Sequence, residues 1–176
     1  VLSRFVQVRD GRPASAWLDS ANIHRRNPVA PRVFFTHNNY LRDYTGNWHS
    51  KAHFAGKKIV LQVRDPRDVA VSQFFQWQFR IQPRKKFLND YPPHGANISV
   101  FDFVMDPQVG LPRIIDYFND WAASRAEVAD LLLVRYEDMR SDPGRELQRS
   151  LSFNGTPGRA DETAEAVNFA AYDNMR

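Results

Sequence analysis

Apolar positions along this chain switch between a two-residue and a three-to-four-residue period, and the switches mark its elements. The clearest run is Ile59, Val60, Leu61 and Val63, a β-prone and nearly unbroken stretch that predicts a strand covered on both faces. Arg64 ends it. Asp65 is placed to cap a helix, and Pro66 to take its first position, where a missing N–H costs little. That helix continues through Phe74, Phe75, Trp77 and Phe79, whose wide apolar arc predicts deep burial. A second short strand is predicted over Pro31 to His37, from Val33, Phe34 and Phe35. A third is predicted over Leu131 to Tyr136, ended by Glu137 and Asp138.

The remaining pattern is helical. Ser99 caps a short helix through Met105, stopped at Asp106-Pro107. Leu111, Ile114, Ile115, Phe118, Trp121 and Ala122 recur at three- and four-residue steps and predict an amphipathic helix over Gly110 to Glu127. Asp142-Pro143 opens a helix over Gly144 to Phe153 by the device used at Asp65-Pro66, and Asn154-Gly155 closes it. A last helix is predicted over Asp161 to Met175. Residues 1 to 30 are weakly patterned. Val1 to Val8 suits a helix or a strand, Asp10 to Pro13 is a turn, and His24 reads as a surface residue. Between Arg80 and Gly95, the residues Pro83, Pro92, Pro93 and Gly95 predict a loop carrying the basic cluster Arg84, Lys85 and Lys86. That cluster reads as a solvated surface run or as a mobile lid.

Strands alternating with helices predict an α/β fold of three layers: a central parallel sheet flanked by helices, with one site along the carboxyl edge of the strands. No repeat or linker breaks the chain, so residues 1–176 are expected to form a single domain.

Composition narrows the function only modestly. Hydrophobic residues make up 43% and charged residues 25%, ordinary values for a globular protein. No apolar run approaches the roughly 20 residues needed to cross a bilayer. Cysteine is absent, which excludes disulfides and thiolate metal sites. A net charge of +4 suits an anionic ligand or a polyanion surface without separating the two. His49 and His53 have the spacing of two ligands on one helical face, but no acidic partner stands nearby, and no metal site is expected.

The chemistry concentrates at residues 64–72. A helix start beyond a strand's carboxyl end presents unpaired N–H groups and the positive end of the dipole, Arg64 adds a bidentate donor, and Ser72 adds a hydroxyl. The combination suits a phosphate; the residue types equally suit a helix cap with a few surface ion pairs. His37, at a strand's carboxyl end, suits general-base work or simple backbone capping. Two rival functions fit parts of this pattern: a kinase-like phosphate-loop enzyme, and a non-catalytic module that binds polyanions through Arg84 to Lys86.

The wording of RDPRDVAVSQFF closely resembles the 3′-phosphate-binding segment of the sulfotransferases that use 3′-phosphoadenosine-5′-phosphosulfate (PAPS), and LLLVRYEDMRSDP resembles a second segment of that family at the expected distance downstream. The resemblance extends from about Pro31 to Arg176 and implies a P-loop-NTPase-like sulfotransferase fold. It also implies in-line transfer of a sulfuryl group from PAPS to an acceptor hydroxyl or amine, with 3′,5′-ADP as product and no metal. Carried over residue by residue, it makes Arg64 and Ser72 the 3′-phosphate ligands and His37 the general base. Tyr136 and Tyr172 become the adenine neighbours. Phe35 stands where the family often has Lys, and Ala171 where it usually has Ser or Thr.

The family's Lys-Ser-Gly-Thr-type loop, which grips the 5′-phosphosulfate, would precede residue 1, and its Arg-Lys-Gly segment would follow residue 176. The chain is therefore expected to be an internal part of a longer protein, and a molecule beginning at Val1 is expected to transfer negligible sulfuryl. The acceptor is expected to be a small molecule, glycan or lipid. No nucleic-acid partner is expected, a cytoplasmic location is, and the oligomeric state is open.

Overall fold

The computed structural model describes residues 2–13, 33, 35, 36 and 50–171. By their internal contacts the residues divide into two compact units: Val1–Thr36 with Val60–Val63 and Leu131–Arg176, and His37–Ile59 with Arg64–Asp130.

Among the described residues there is a two-stranded parallel sheet, β1 (Ile59–Val63) paired with β2 (Leu131–Arg135), and all of it but Ile59 belongs to the first unit. Side chains along β1 alternate between half-buried and exposed, with Val60 and Gln62 outward. The burial expected along the whole strand is not found: Val60 and Gln62 are exposed. Helix α1 (Leu2–Arg9) packs against the last described helix, α8 (Ala160–Phe169), and α8 packs against α7 (Pro143–Phe153). Phe5, Val6, Leu151 and Ala166 form the core between them.

α1 and α7 end in the same way. Gly11 (φ +61) and Gly155 (φ +77) take the left-handed conformation. The next N–H then reaches back, from Arg12 to Gln7 O at 2.7 Å and from Thr156 to Leu151 O at 2.9 Å.

α7 begins where Asp142 Oδ1 accepts from the Arg145 N–H at 2.9 Å, with Pro143 at its first position. Between β2 and α7 lies a short helix, α6 (Tyr136–Ser141). Tyr136 therefore opens a helix instead of ending a strand. Glu137 and Asp138 sit in that helix's first turn, where the dipole favours carboxylates.

The second unit is helical. α2 (Pro66–Phe79) packs against α4 (Val100–Met105) and α5 (Leu111–Ala123), with the short α3 (Pro83–Leu88) before them. Its core is aromatic: Phe74, Trp77, Tyr91 and Phe103, with Val109. Phe103 is wholly buried, its ring 5.5 Å from Phe74 and 5.3 Å from Trp77 between centroids. Each such side chain contributes about 1.5–3 kcal/mol by burial.

The wide apolar arc of α2 is only partly used. Ala70, Phe74 and Trp77 face the core, while Val71, Phe75 and Phe79 lie exposed one face over, the last two rings stacked 6.4 Å apart. A helix packed along one side buries one stripe, whatever the composition of the rest.

Two further expectations change. Arg80 to Gly95 is not a plain loop: Pro83 opens α3, and Lys86 is buried. In the predicted strand over Pro31 to His37, the described residues Val33, Phe35 and Thr36 form no strand, and Phe35 is exposed. The rest of that segment, including His37, lies outside the described residues, as do His24, His49 and Tyr172.

Candidate functional site

The turn from β1 into α2 is built as its residue types dictate. Asp65 Oδ1 accepts from the Arg67 N–H at 2.9 Å, and Pro66 starts the helix. The same carboxylate takes the Arg67 guanidinium in a fork, Nε to Oδ1 at 3.1 Å and Nη2 to Oδ2 at 2.6 Å. These contacts, the Arg67 side chain first and its backbone N–H second, lower the Asp65 pKa from 3.8 to about 2.

Arg64, just before the cap, points its guanidinium along the helix. Its Nη2 donates to Asp68 Oδ2 at 3.1 Å. Asp68 and Ser72 lie one turn apart, so Arg64, Asp68 and Ser72 follow one another along one edge of the α2 register. Ser72 is half-buried, and the Arg64 side chain is 35% exposed, open enough for a solvent-borne ligand to reach.

The structure thus brings Arg64 and Ser72 onto one helix edge with an acidic residue between them. Tyr136 belongs to the other unit, at the first position of α6, and is half-buried. Asp68 was not singled out from the sequence. Its signal was present all the same, four residues after Arg64 in the segment Arg64-Asp65-Pro66-Arg67-Asp68.

The second unit also buries two lysines: Lys86, which the sequence placed in a surface or lid cluster, and Lys51, which it did not single out. Lys86 is 2% exposed; its Nζ lies 3.0 Å from His94 Nδ1 and 5.1 Å over the Trp77 ring. Trp77 is held in turn by donating Nε1 to Pro92 O at 2.9 Å. Nothing in the sequence separates Lys86 from Arg84 and Lys85; the α3 register selects it.

Lys51 is 1% exposed, its Nζ 5.3 Å over the Trp121 ring. Burial lowers its pKa, against the opposing pull of Asp120 and Glu127. Glu127 Oε2 accepts from Ser50 Oγ and from the Lys51 N–H, both at 2.7 Å, and these bonds lower its own pKa. His53, beside Lys57 and Lys51, has its pKa lowered by loss of solvent first and by those cations second. No grouping of His, Asp and Glu with metal-binding geometry occurs among the described residues. None of the described helices is long and apolar enough to cross a membrane.

Arg64 thus follows the end of β1, Asp65-Pro66 starts α2, and Ser72 lies two turns along it. Comparison with known families makes the class specific. The family model described as "Sulfotransferase domain" matches residues 16–176, and the chain belongs to the sulfotransferase family. Among curated proteins, it is similar to Sulfotransferase 2A1 of Homo sapiens, at 23% identity over 191 residues, covering 99% of this chain and 61% of that protein. It is 25% identical to Sulfotransferase 2A6 of Rattus norvegicus over 137 residues, covering 72% of this chain and 42% of the relative. Similarity to Sulfotransferase 2A2 of the same animal reaches 27% over 124 residues, covering 70% and 40%. The chain thus spans 40% to 61% of the length of these relatives.

Proposed function

We propose that this chain carries the 3′-phosphate end of a sulfotransferase that moves the sulfuryl group of PAPS to an acceptor hydroxyl or amine. What carries the reading is the sulfotransferase-domain match over residues 16–176, which spans both RDPRDVAVS and LLLVRYEDM. The turn geometry supports it. Arg64 offers a guanidinium at the end of β1, and Ser72 offers a hydroxyl along the same edge of α2, a donor set suited to a phosphate.

When bound, PAPS supplies an activated sulfuryl group on a phosphate leaving group. Arg64 and Ser72 anchor the 3′-phosphate and so fix the register of the nucleotide. Tyr136, with Tyr172, borders the adenine. His37 takes the proton from the acceptor hydroxyl as it attacks, so the nucleophile gains charge only as the bond to sulfur forms. Grip on the 5′-phosphosulfate belongs, by the same resemblance, to a Lys-Ser-Gly-Thr-type loop that is not among the 176 residues. The three-layer, P-loop-like arrangement of a single domain is part of the same proposal.

The polyanion-binding alternative loses one of its three clustered cations, because Lys86 is buried under Trp77 and beside His94.

The test is calorimetric titration of the full-length protein with 3′,5′-ADP and with 5′-AMP, which differ only in the 3′-phosphate. At least tenfold tighter binding of 3′,5′-ADP is expected, about 1.4 kcal/mol. Equal binding of the two removes the 3′-phosphate assignment.

A further inference from the structure

Two arginines and two aspartates occupy the link from β1 and the first turn of α2, and they are cross-paired: Arg67 with Asp65, Arg64 with Asp68. The two pairs are unequal. Asp65 is committed to the helix itself, because its carboxylate accepts from the Arg67 backbone N–H as well as from both edges of the fork. It cannot leave without opening the first turn. Asp68 carries no such duty. Its carboxylate is 59% exposed and meets Arg64 Nη2 through a single contact at 3.1 Å. A phosphate arriving at Arg64 therefore meets one fixed carboxylate and one that can turn away.

We infer that Asp68 is the displaceable counter-ion of the Arg64 site: it neutralises the guanidinium while no nucleotide is bound, yields to the 3′-phosphate, and re-pairs as the product leaves. This rests on the 3′-phosphate reading above. Asp68 then weakens the hold on 3′,5′-ADP, because a phosphate must replace an existing ion pair and remain near a carboxylate. Exposure to water keeps the effect modest, about three- to tenfold in affinity.

The experiment titrates wild type, Asp68→Asn and Asp68→Glu with 3′,5′-ADP and with 5′-AMP. Asp68→Asn is expected to bind 3′,5′-ADP about three- to tenfold more tightly and 5′-AMP unchanged. Asp68→Glu keeps the charge and is expected to stay near wild type. Unchanged or weaker binding of 3′,5′-ADP by Asp68→Asn overturns the inference, because Asp68 would then be holding Arg64 in place for the ligand. Equal shifts for both ligands, or a Glu variant that behaves like Asn, overturn it as well. Failure of the 3′-phosphate reading is seen separately and earlier, as a wild type that does not distinguish the two nucleotides.

Discussion

Arg64→Ala tests the site at its strongest point. In the turn Arg64 pairs at 3.1 Å with Asp68, an aspartate that is more than half exposed. Such a pair contributes about 0–1 kcal/mol. Against a bound 3′-phosphate the same guanidinium makes charge-assisted hydrogen bonds, each worth about 1.5–3 kcal/mol. Subtracting the Asp68 pair that binding gives up leaves about 0.5–3 kcal/mol for one such bond, or roughly two- to 150-fold in affinity. Calorimetry should show that loss for 3′,5′-ADP and little change for 5′-AMP. Equal losses for the two nucleotides would refute the reasoning, since they would place Arg64 in the general charge of the surface.

Phe103→Ala removes a wholly buried ring that touches Phe74 and Trp77, and should destabilise the second unit by about 3–5 kcal/mol in chemical denaturation; a cost under about 1 kcal/mol would mean that the aromatic cluster is not its core. The Asp65 cap carries a pH signature. Its carboxyl pKa is depressed in the folded state, to about 2 from 3.8, so the cap stabilises fully above about pH 4, and that contribution is lost as pH falls through about 2. NMR titration of the Asp65 carboxyl in folded protein should find its midpoint near 2, and a midpoint near 3.8 would show that Arg67 does not hold it.

Local signals were legible wherever neighbouring residues settle the outcome among themselves. Asp65-Pro66, Ser99 and Asp142-Pro143 all start helices as their types predict, because a cap needs only its own side chain and the N–H groups two or three residues on. Ile59–Val63 and Leu131–Arg135 are strands for similar reasons of β-prone runs and their stops. The segment that carries the resemblance, with Arg64 and Ser72, is such a local one, and the match over residues 16–176 bears out the family.

Tertiary structure decided the rest. Which stripe of α2 is buried follows from where α4 and α5 lie, and that leaves Phe75 and Phe79 outside while Phe74 and Trp77 go in. Lys86 is inside, and Arg84, of the same charge and two residues away, is exposed, because only one of them meets the Trp77 ring and His94. Asp68 faces Arg64 only because the chain coils immediately after Pro66. Propensity and capping act over a few residues and are written in the chain. Burial depends on partners distant in sequence, and an apolar or charged residue type does not say which face its neighbours will cover.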